Sequence, residues 1–260
     1  MSKMISTVTS SEKRKNLLIY LLDGPKSLEE IRTSLKVTSS GMIPQIRKME
    51  EQKLVRSEGR KYGLTDVGIV IAESFSSFIN TIDIIEKYLD FWSSHDINAI
   101  PPHLLKRIYE LGNCSLIETK LSEIHEPHKD FLENLSQSRK IMGISPIFHS
   151  SYPPLFLQLA HSGADISLLL AGEVYDRLKN QYRDTLDEFL RIPTTRIYVS
   201  RENIKLASVI TDRYFNMSLF FKNGDYDPLR DIVSQDPSAH KWGEEMFNHF
   251  LKNSTEIKGP

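Results

Sequence analysis

The chain is poor in the features that would fix its class at once. It has a single cysteine, Cys114, in 260 residues, which excludes an internal disulfide framework and an all-cysteine metal site within one chain. No apolar run approaches the roughly 20 residues that span a bilayer, and the start "MSKMISTVTSSEKRKN" has no apolar stretch of the kind a secretory signal needs. A cytoplasmic protein with no membrane association is the expectation. Glycine and proline, 12 each, are too few for a low-complexity or fibrous chain. The composition that remains, 40% hydrophobic and 26% charged, is that of a globular protein of one large or two ordinary domains.

A net charge of −1 hides an asymmetry. Residues 1–66 carry 13 Lys+Arg against 8 Asp+Glu, and the rest carries 20 against 26, so +5 stands beside −6. An anionic partner for the first third alone follows from that separation. Caps divide this third into short helices. "TSSEKRKNLLIYLLDGP" places Glu12 three residues after Thr9, a capping-box spacing, and stops at Asp23-Gly24-Pro25. "SLEEIRTSL" repeats the device with Ser27 and Glu30. A third segment sets Ile43, Ile46 and Met49 on one face, although Gly41 and Pro44 predict a late or distorted start near Ser39–Ile43. Two extended pieces around Glu58-Gly59 follow, with Arg56, Arg60 and Lys61 near their tip.

Three short helices and then a hairpin, in "SLEEIRTSLKVTSSGMIPQIRKMEEQKLV" followed by "YGLT", resemble the winged helix-turn-helix regulators of archaea and bacteria. The resemblance implies that the third helix enters the major groove of duplex DNA while the wing tip grips the backbone or the minor groove. It places Ser39, Ser40, Met42, Gln45 and Lys48 toward DNA, with Arg56, Arg60 and Lys61 on the wing. The alternative is a ligand-sensing or protein-interaction module whose winged helix leaves DNA alone.

From Asp66 to Trp92 there is no proline, and Ile71, Phe75, Phe78, Ile82, Ile85, Leu89 and Trp92 recur at steps of four and three. That heptad pattern predicts one long helix, about 40 Å at 1.5 Å per residue. Its seam is expected to form a homodimer interface, or else to pack within the chain. The organisation expected is therefore a DNA-binding domain over 1–66, a linking and dimerising helix over 67–95 and an effector domain over 96–260.

Beyond Pro101-Pro102 the order turns to strand, helix, strand. "KIMGIS", "ADISLLLAG" and "TRIYVS" are strands separated by helical segments, and "IKLASVITD" and "YFNMSLFF" add antiparallel ones. An α/β domain with a mixed, mainly parallel sheet is predicted, closed by the amphipathic "PSAHKWGEEMFNHFLKNS". Strand ends in such sheets are where ligands bind, which nominates Ser145, His149, Ser150, Arg201, Thr211, Asp212 and Tyr226. No catalytic constellation accompanies them. "GISPIFHSSYPP" lacks a phosphate-loop fingerprint, and Cys114 in "GNCSL" lacks a nucleophile signature. The spacing His-x-Lys of phospholipase-D-type transferases is absent as well. His125-Glu-Pro-His128 offers two imidazoles with a proline between them and no third cysteine, so neither metal nor cofactor is expected. The run "IYVSRENIKLASVITDRYFNMSLFFKNGDYD" with "SAHKWGEEMFNHFLKNS" resembles the effector or middle domain of archaeal transcription regulators of methanogens. That resemblance implies a dimeric DNA-binding regulator, not an enzyme, whose C-terminal domain senses a small-molecule effector.

Overall fold

Ser27 and Glu30 form the reciprocal cap that their spacing predicts. The Ser27 hydroxyl accepts from the Glu30 amide at 3.2 Å and the Glu30 carboxylate from the Ser27 amide at 2.7 Å. These bonds hold the Glu30 carboxyl below its usual range. The computed structural model describes residues 3–120 and 129–259; His125 and His128 lie outside the described residues. It divides into two units, Met1–Ile82 and Asp83–Pro260.

The first unit begins with a helix that the cap reading missed. Helix α1 spans Lys3–Thr9 and α2 spans Glu12–Tyr20. Thr9 is thus the end of one helix, its hydroxyl bonded back to the Ile5 carbonyl at 3.0 Å, and not the cap of the next. Strand β1 (Lys26–Ser27), α3 (Leu28–Leu35) and α4 (Ser39–Glu51) follow. Strands β2 (Val55–Glu58) and β3 (Lys61–Leu64) close the unit in a three-stranded antiparallel sheet of order β1-β3-β2. Leu17, Leu18, Leu21, Ile31, Met42, Ile46, Met49 and Leu54 fill its core.

Helix α5 (Asp66–Lys87) starts against this core. Thr65 caps it, accepting from the Gly68 amide at 2.9 Å while donating to the Lys53 carbonyl at 2.6 Å. Any Cβ at Gly68 would stand 1.9 Å from the Leu54 carbonyl, so only glycine allows the approach. The helix is not continuous to Trp92. Tyr88, at φ −132° and ψ 43°, interrupts it before α6 (Leu89–Ser94).

The heptad seam therefore does not exist as one stripe. Ile71 and Phe75 pack on the first unit's core, whereas Ile85 packs on that of the second. Trp92 lies fully inside the second core, its indole donating to the Ile84 carbonyl at 3.1 Å. Phe78 and Leu89 remain 57% and 56% exposed. Helix α5 has a mean hydropathy of 1.4 over 18 residues and is long and apolar enough by length and composition to cross a membrane, although polar residues interrupt it throughout. The boundary between units falls inside α5, so the helix is shared and not a segment of its own.

In the second unit, α7 (Pro102–Leu105) and β4 (Ser115–Glu118) precede α8 (Lys129–Ser136) and β5 (Lys140–Ser145). Helix α9 (Tyr152–His161) leads to β6 (Asp165–Leu170). The helix expected next is two, α10 (Gly172–Gln181) and α11 (Arg183–Arg191), broken at Tyr182. Strands β7 (Thr195–Ser200), β8 (Leu206–Thr211), β9 (Phe215–Leu219) and β10 (Arg230–Ser234) come before α12 (Pro237–Leu251) and β11 (Ser254–Ile257).

The α/β class and the mixed sheet are found. Its eight strands run β11-β7-β6-β5-β8-β9-β10-β4. Only β5–β6 and β6–β7 pair in parallel, and the other five pairings are antiparallel, so the sheet is not mainly parallel. The strand–helix–strand alternation extends over those three strands alone, and only such crossovers require parallel pairing. One sheet face buries Phe215, Met217 and Leu219 under Trp242 and Phe247 of α12; the other carries Phe156, Val174 and Phe189 from α9, α10 and α11.

Candidate functional site

Helix α4 begins regularly, which corrects the expected late start. Thr38 caps it, its hydroxyl accepting from the Gly41 amide at 3.2 Å and its carbonyl from Met42 at 3.0 Å. Pro44 stands on the exposed side, so its ring meets solvent and its missing N–H forfeits one bond, that to the Ser40 carbonyl. At 100° per residue the exposed face is Ser40, Pro44, Arg47 and Lys48, opposite the buried Met42, Ile46 and Met49. Met42 is 0% exposed and cannot face DNA, which corrects its assignment. Ile43 is only partly buried.

Gln45 is occupied within the fold. Its Oε1 accepts from Arg14 Nη1 at 2.7 Å, and Arg14, almost buried, also donates to the Thr7 carbonyl. Bidentate reading of adenine needs both the oxygen and the nitrogen of a glutamine amide, so Gln45 cannot supply it in this state. Ser39 is half-buried, and the exposed Ser40 hydroxyl lies 3.3 Å from that of Thr38. Two cations that the sequence reading left out belong to this surface. Arg47 lies on the exposed face, and the Lys13 ammonium reaches the first turn of α4, 2.9 Å from where a Cβ on Gly41 would be.

The hairpin turns at Gly59-Arg60, between Glu58 and Lys61, with Gly59 at φ 63° as primed two-residue turns require. Arg60 and Lys61 are exposed at this tip. Arg56 is not at the tip. It pairs with Gly63 in the ladder, and its guanidinium donates to the Glu58 carboxylate at 2.6 Å, which raises its pKa further.

A cavity of about 190 Å³ opens in the second unit, between one sheet face and α8, α9 and α10. Ser145, His149 and Tyr226 line it, as the strand-end argument predicts. The other nominated residues do not. Exposed Ser150 stays outside its lining, and Arg201 bonds the Thr255 hydroxyl at 3.0 Å. The Thr211 hydroxyl accepts the Arg213 and Tyr214 amides to shape a turn. Asp212 accepts the Arg139 amide at 3.1 Å. Each of these three satisfies local backbone or side-chain groups.

The cavity floor comes from residues that strand alternation turns to this face. Asn216 and Ser218 of β9 point here because Phe215, Met217 and Leu219 point the other way. The Ser218 hydroxyl donates to the Asp231 carboxylate of β10. Burial pushes the Tyr226 phenol up to about 12 and raises that of Tyr152 further still. Both phenols are thus neutral hydrogen-bonding groups near pH 7. Phe131, Phe148, Tyr152 and Phe156 supply aromatic walls.

Tyr226 and Pro228 flank Asp227, which is buried and holds a second cluster. His95, immediately after α6 and 0% exposed, places Nε2 3.0 Å from Asp227 Oδ2 and Nδ1 2.7 Å from the Phe91 carbonyl oxygen. Its ring is stacked between Phe91 and Phe221, with centroids 4.2 and 4.7 Å away. Arg230 adds a bond to the same carboxylate at 2.7 Å. Cys114 is buried and its thiol pKa raised, chiefly by desolvation, which suits a structural thiol. Among the described residues no group of three His, Cys, Asp or Glu is placed to hold a metal ion.

Residues 2–83 match the family described as methanogenesis regulatory protein FilR1, N-terminal domain, and residues 124–253 match the middle domain of the same protein. The methanogenesis regulatory protein FilR1 of Methanothrix harundinacea (strain 6Ac) is 25% identical over 261 aligned positions. The alignment takes in 99% of this chain but 58% of that protein, so the chain spans little more than half the length of this relative. Among solved structures, TrmBL2, an archaeal chromatin protein, aligns over 92% of this chain and 91% of its own, with 14% identity and a TM-score of 0.45. NucT from Helicobacter pylori aligns over 56% of this chain and 99% of its own, with 13% identity and a TM-score of 0.43. With both domain descriptions matched in chain order, and the middle domain alone taking in half of the sequence, the chain belongs to the family of the archaeal methanogenesis regulatory protein FilR1.

Proposed function

We propose that this regulator binds duplex DNA through its first unit and controls transcription in the cytoplasm. The observation that carries the reading is a set of exposed cations in the first unit: Arg60 and Lys61 at the hairpin tip, with Arg47, Lys48 and Lys13 on and beside α4. These cations suit phosphate, which positions a protein on DNA without reading sequence. With Gln45 held by Arg14, base contacts fall to the exposed Ser40 and to Arg47 or Lys48, whose chemistry matches guanine O6 and N7. An electrophoretic shift of duplex from upstream of the chain's own coding sequence, followed by footprinting with the full-length protein, tests this. Discrete protection is the expected result. A protein that leaves the duplex unshifted at 50 mM salt belongs instead to the class that contacts only proteins.

We further infer a homodimer through an exposed strip of α5 that keeps Phe78 of the heptad pattern and adds Val67 and Val70 to it. Val67, Val70 and Phe78 are 53%, 62% and 57% exposed and lie within about 80° of one another around α5. Such a concentration of exposed large apolar side chains is unusual on a monomer. Phe78→Glu is expected to halve the mass measured by light scattering while leaving the fold unchanged. Retention of the dimer would move the interface elsewhere.

The cavity is read as an effector site, for binding and not for turnover. Its route to the rest of the molecule is short. A ligand touching Tyr226 and Pro228 acts on the segment that carries Asp227, and Asp227 grips His95 at the end of α6. An effector shifts the protein only by favouring one arrangement of that clasp over another.

A further inference from the structure

The walls of the cavity and one phenol donor select among effectors, and we propose that it takes a small uncharged aromatic ligand: a single ring carrying one carbonyl-type oxygen, as in an aryl ketone. The assignment rests on the effector-site reading and narrows it. His149 and Asp231 in the lining already have partners within the chain, so selection falls to the walls. Phe131 of α8, Phe148 between β5 and α9, Phe156 of α9, Leu168 of β6 and Val174 of α10 make those walls apolar. A charged ligand held between them exchanges water for carbon, which costs far more than burying a neutral one. A neutral ring instead meets ring faces and edges that favour aromatic pairing.

Tyr152 supplies the polar contact. Its ring packs on Phe131, His149 and Phe156, with centroids 6.3, 4.8 and 5.8 Å away. Its hydroxyl end is turned toward Tyr226 and Asp231, which also line the cavity, but among the described residues none forms a hydrogen bond with it. Desolvation keeps that phenol protonated near pH 7, so it donates and a ligand oxygen accepts. A desolvated donor without a partner is costly, and a carbonyl oxygen on the ligand removes the cost. Volume bounds the size. A cavity near 150 Å³ accommodates benzene, so about 190 Å³ takes one ring with a short substituent and excludes a nucleotide or a sugar phosphate.

The full-length protein titrated by calorimetry at pH 7 with acetophenone, ethylbenzene, benzoate and benzylamine tests the assignment, since the four share a ring and differ in charge and in the ketone oxygen. Acetophenone is expected to bind roughly three- to tenfold tighter than ethylbenzene, the effect of one net hydrogen bond, and at least tenfold tighter than benzoate or benzylamine. Tyr152→Phe keeps the ring and should bring acetophenone and ethylbenzene within about twofold of each other. Ala207→Phe fills the cavity from β8 and should abolish binding of all four. Val209→Phe, on the same strand and face, takes its place if Ala207→Phe lowers the thermal midpoint. If benzoate or benzylamine binds tightest, or if Tyr152→Phe leaves the preference for acetophenone unchanged, while the filled variant binds nothing, the cavity stands as a binding site and the assignment is overturned. If no probe binds, or if the filled variant keeps acetophenone binding, both the assignment and the effector-site reading fall.

Discussion

Replacing His95 by alanine is expected to cost the second unit about 3 kcal/mol, the scale of loss when a buried carboxylate gives up a hydrogen-bond partner and a gap is left in the packing. The reasons are additive in kind. Asp227, 1% exposed, would keep only Arg230 and the Leu229 amide as partners. The Phe91 carbonyl would lose its imidazole neighbour, and the gap between Phe91 and Phe221 would be left unfilled. Arg230 softens the loss because its guanidinium already lies over both rings, 5.9 and 5.4 Å from their centroids. A unit of this size loses roughly 2–4 °C of midpoint per kcal/mol, so a thermal melt should fall by about 6–12 °C. A midpoint within 2 °C of the parent would show that the clasp contributes nothing to stability, and the proposed path from cavity to α6 would lose its middle link.

The second large effect concerns the hairpin. Arg60→Ala with Lys61→Ala removes two exposed cations from a tip formed by backbone pairing and Gly59, so the fold should be unaffected. If each contacts one phosphate, the salt dependence of DNA binding flattens by about 1.8 units, and affinity at 0.15 M drops roughly 30-fold. The loss should be the same for specific and unrelated duplexes, because phosphate contacts carry no sequence information. Arg56→Ala is the internal comparison. Its guanidinium is already committed to Glu58 at 2.6 Å, so it should change affinity much less than the double substitution. Equal losses would mean that the Arg56–Glu58 pair opens on DNA.

What the sequence revealed followed from how local each signal was. The Ser27–Glu30 cap, the Gly59 turn and strands such as Lys140–Ser145 depend on neighbours a few residues away, and each is found where it was expected. The seam from Ile71 to Trp92 failed because two separate cores draw on one pattern. Phe75 answers to the first unit and Trp92 to the second, across the break at Tyr88. Periodicity alone cannot tell which partner a side chain will meet.

The same limit governs the sites. Met42 falls at helical spacing like any surface residue, but Ile46 and Met49 fix the buried face to include it. Ser145, His149 and Tyr226 could be found because strand ends are legible. The cavity floor could not, since Asn216, Ser218 and Asp231 come together only through the antiparallel pairing of β9 with β10. Alternation in "FNMSL" showed two polar residues on one face, but not that this face is roofed by helices.

The central claim is that the first unit of this chain is a DNA-binding surface held by phosphate contacts. It is tested most directly by the affinity of the full-length protein for a duplex, measured by fluorescence anisotropy between 50 and 200 mM salt. With Arg47, Lys48, Arg60, Lys61 and Lys13 on the accessible surface, three to five phosphates per subunit should be neutralised. The logarithm of affinity should then fall against the logarithm of salt with a slope of about −3 to −4.5 for each subunit. A slope near zero, or the absence of binding at the lowest salt, would contradict the account.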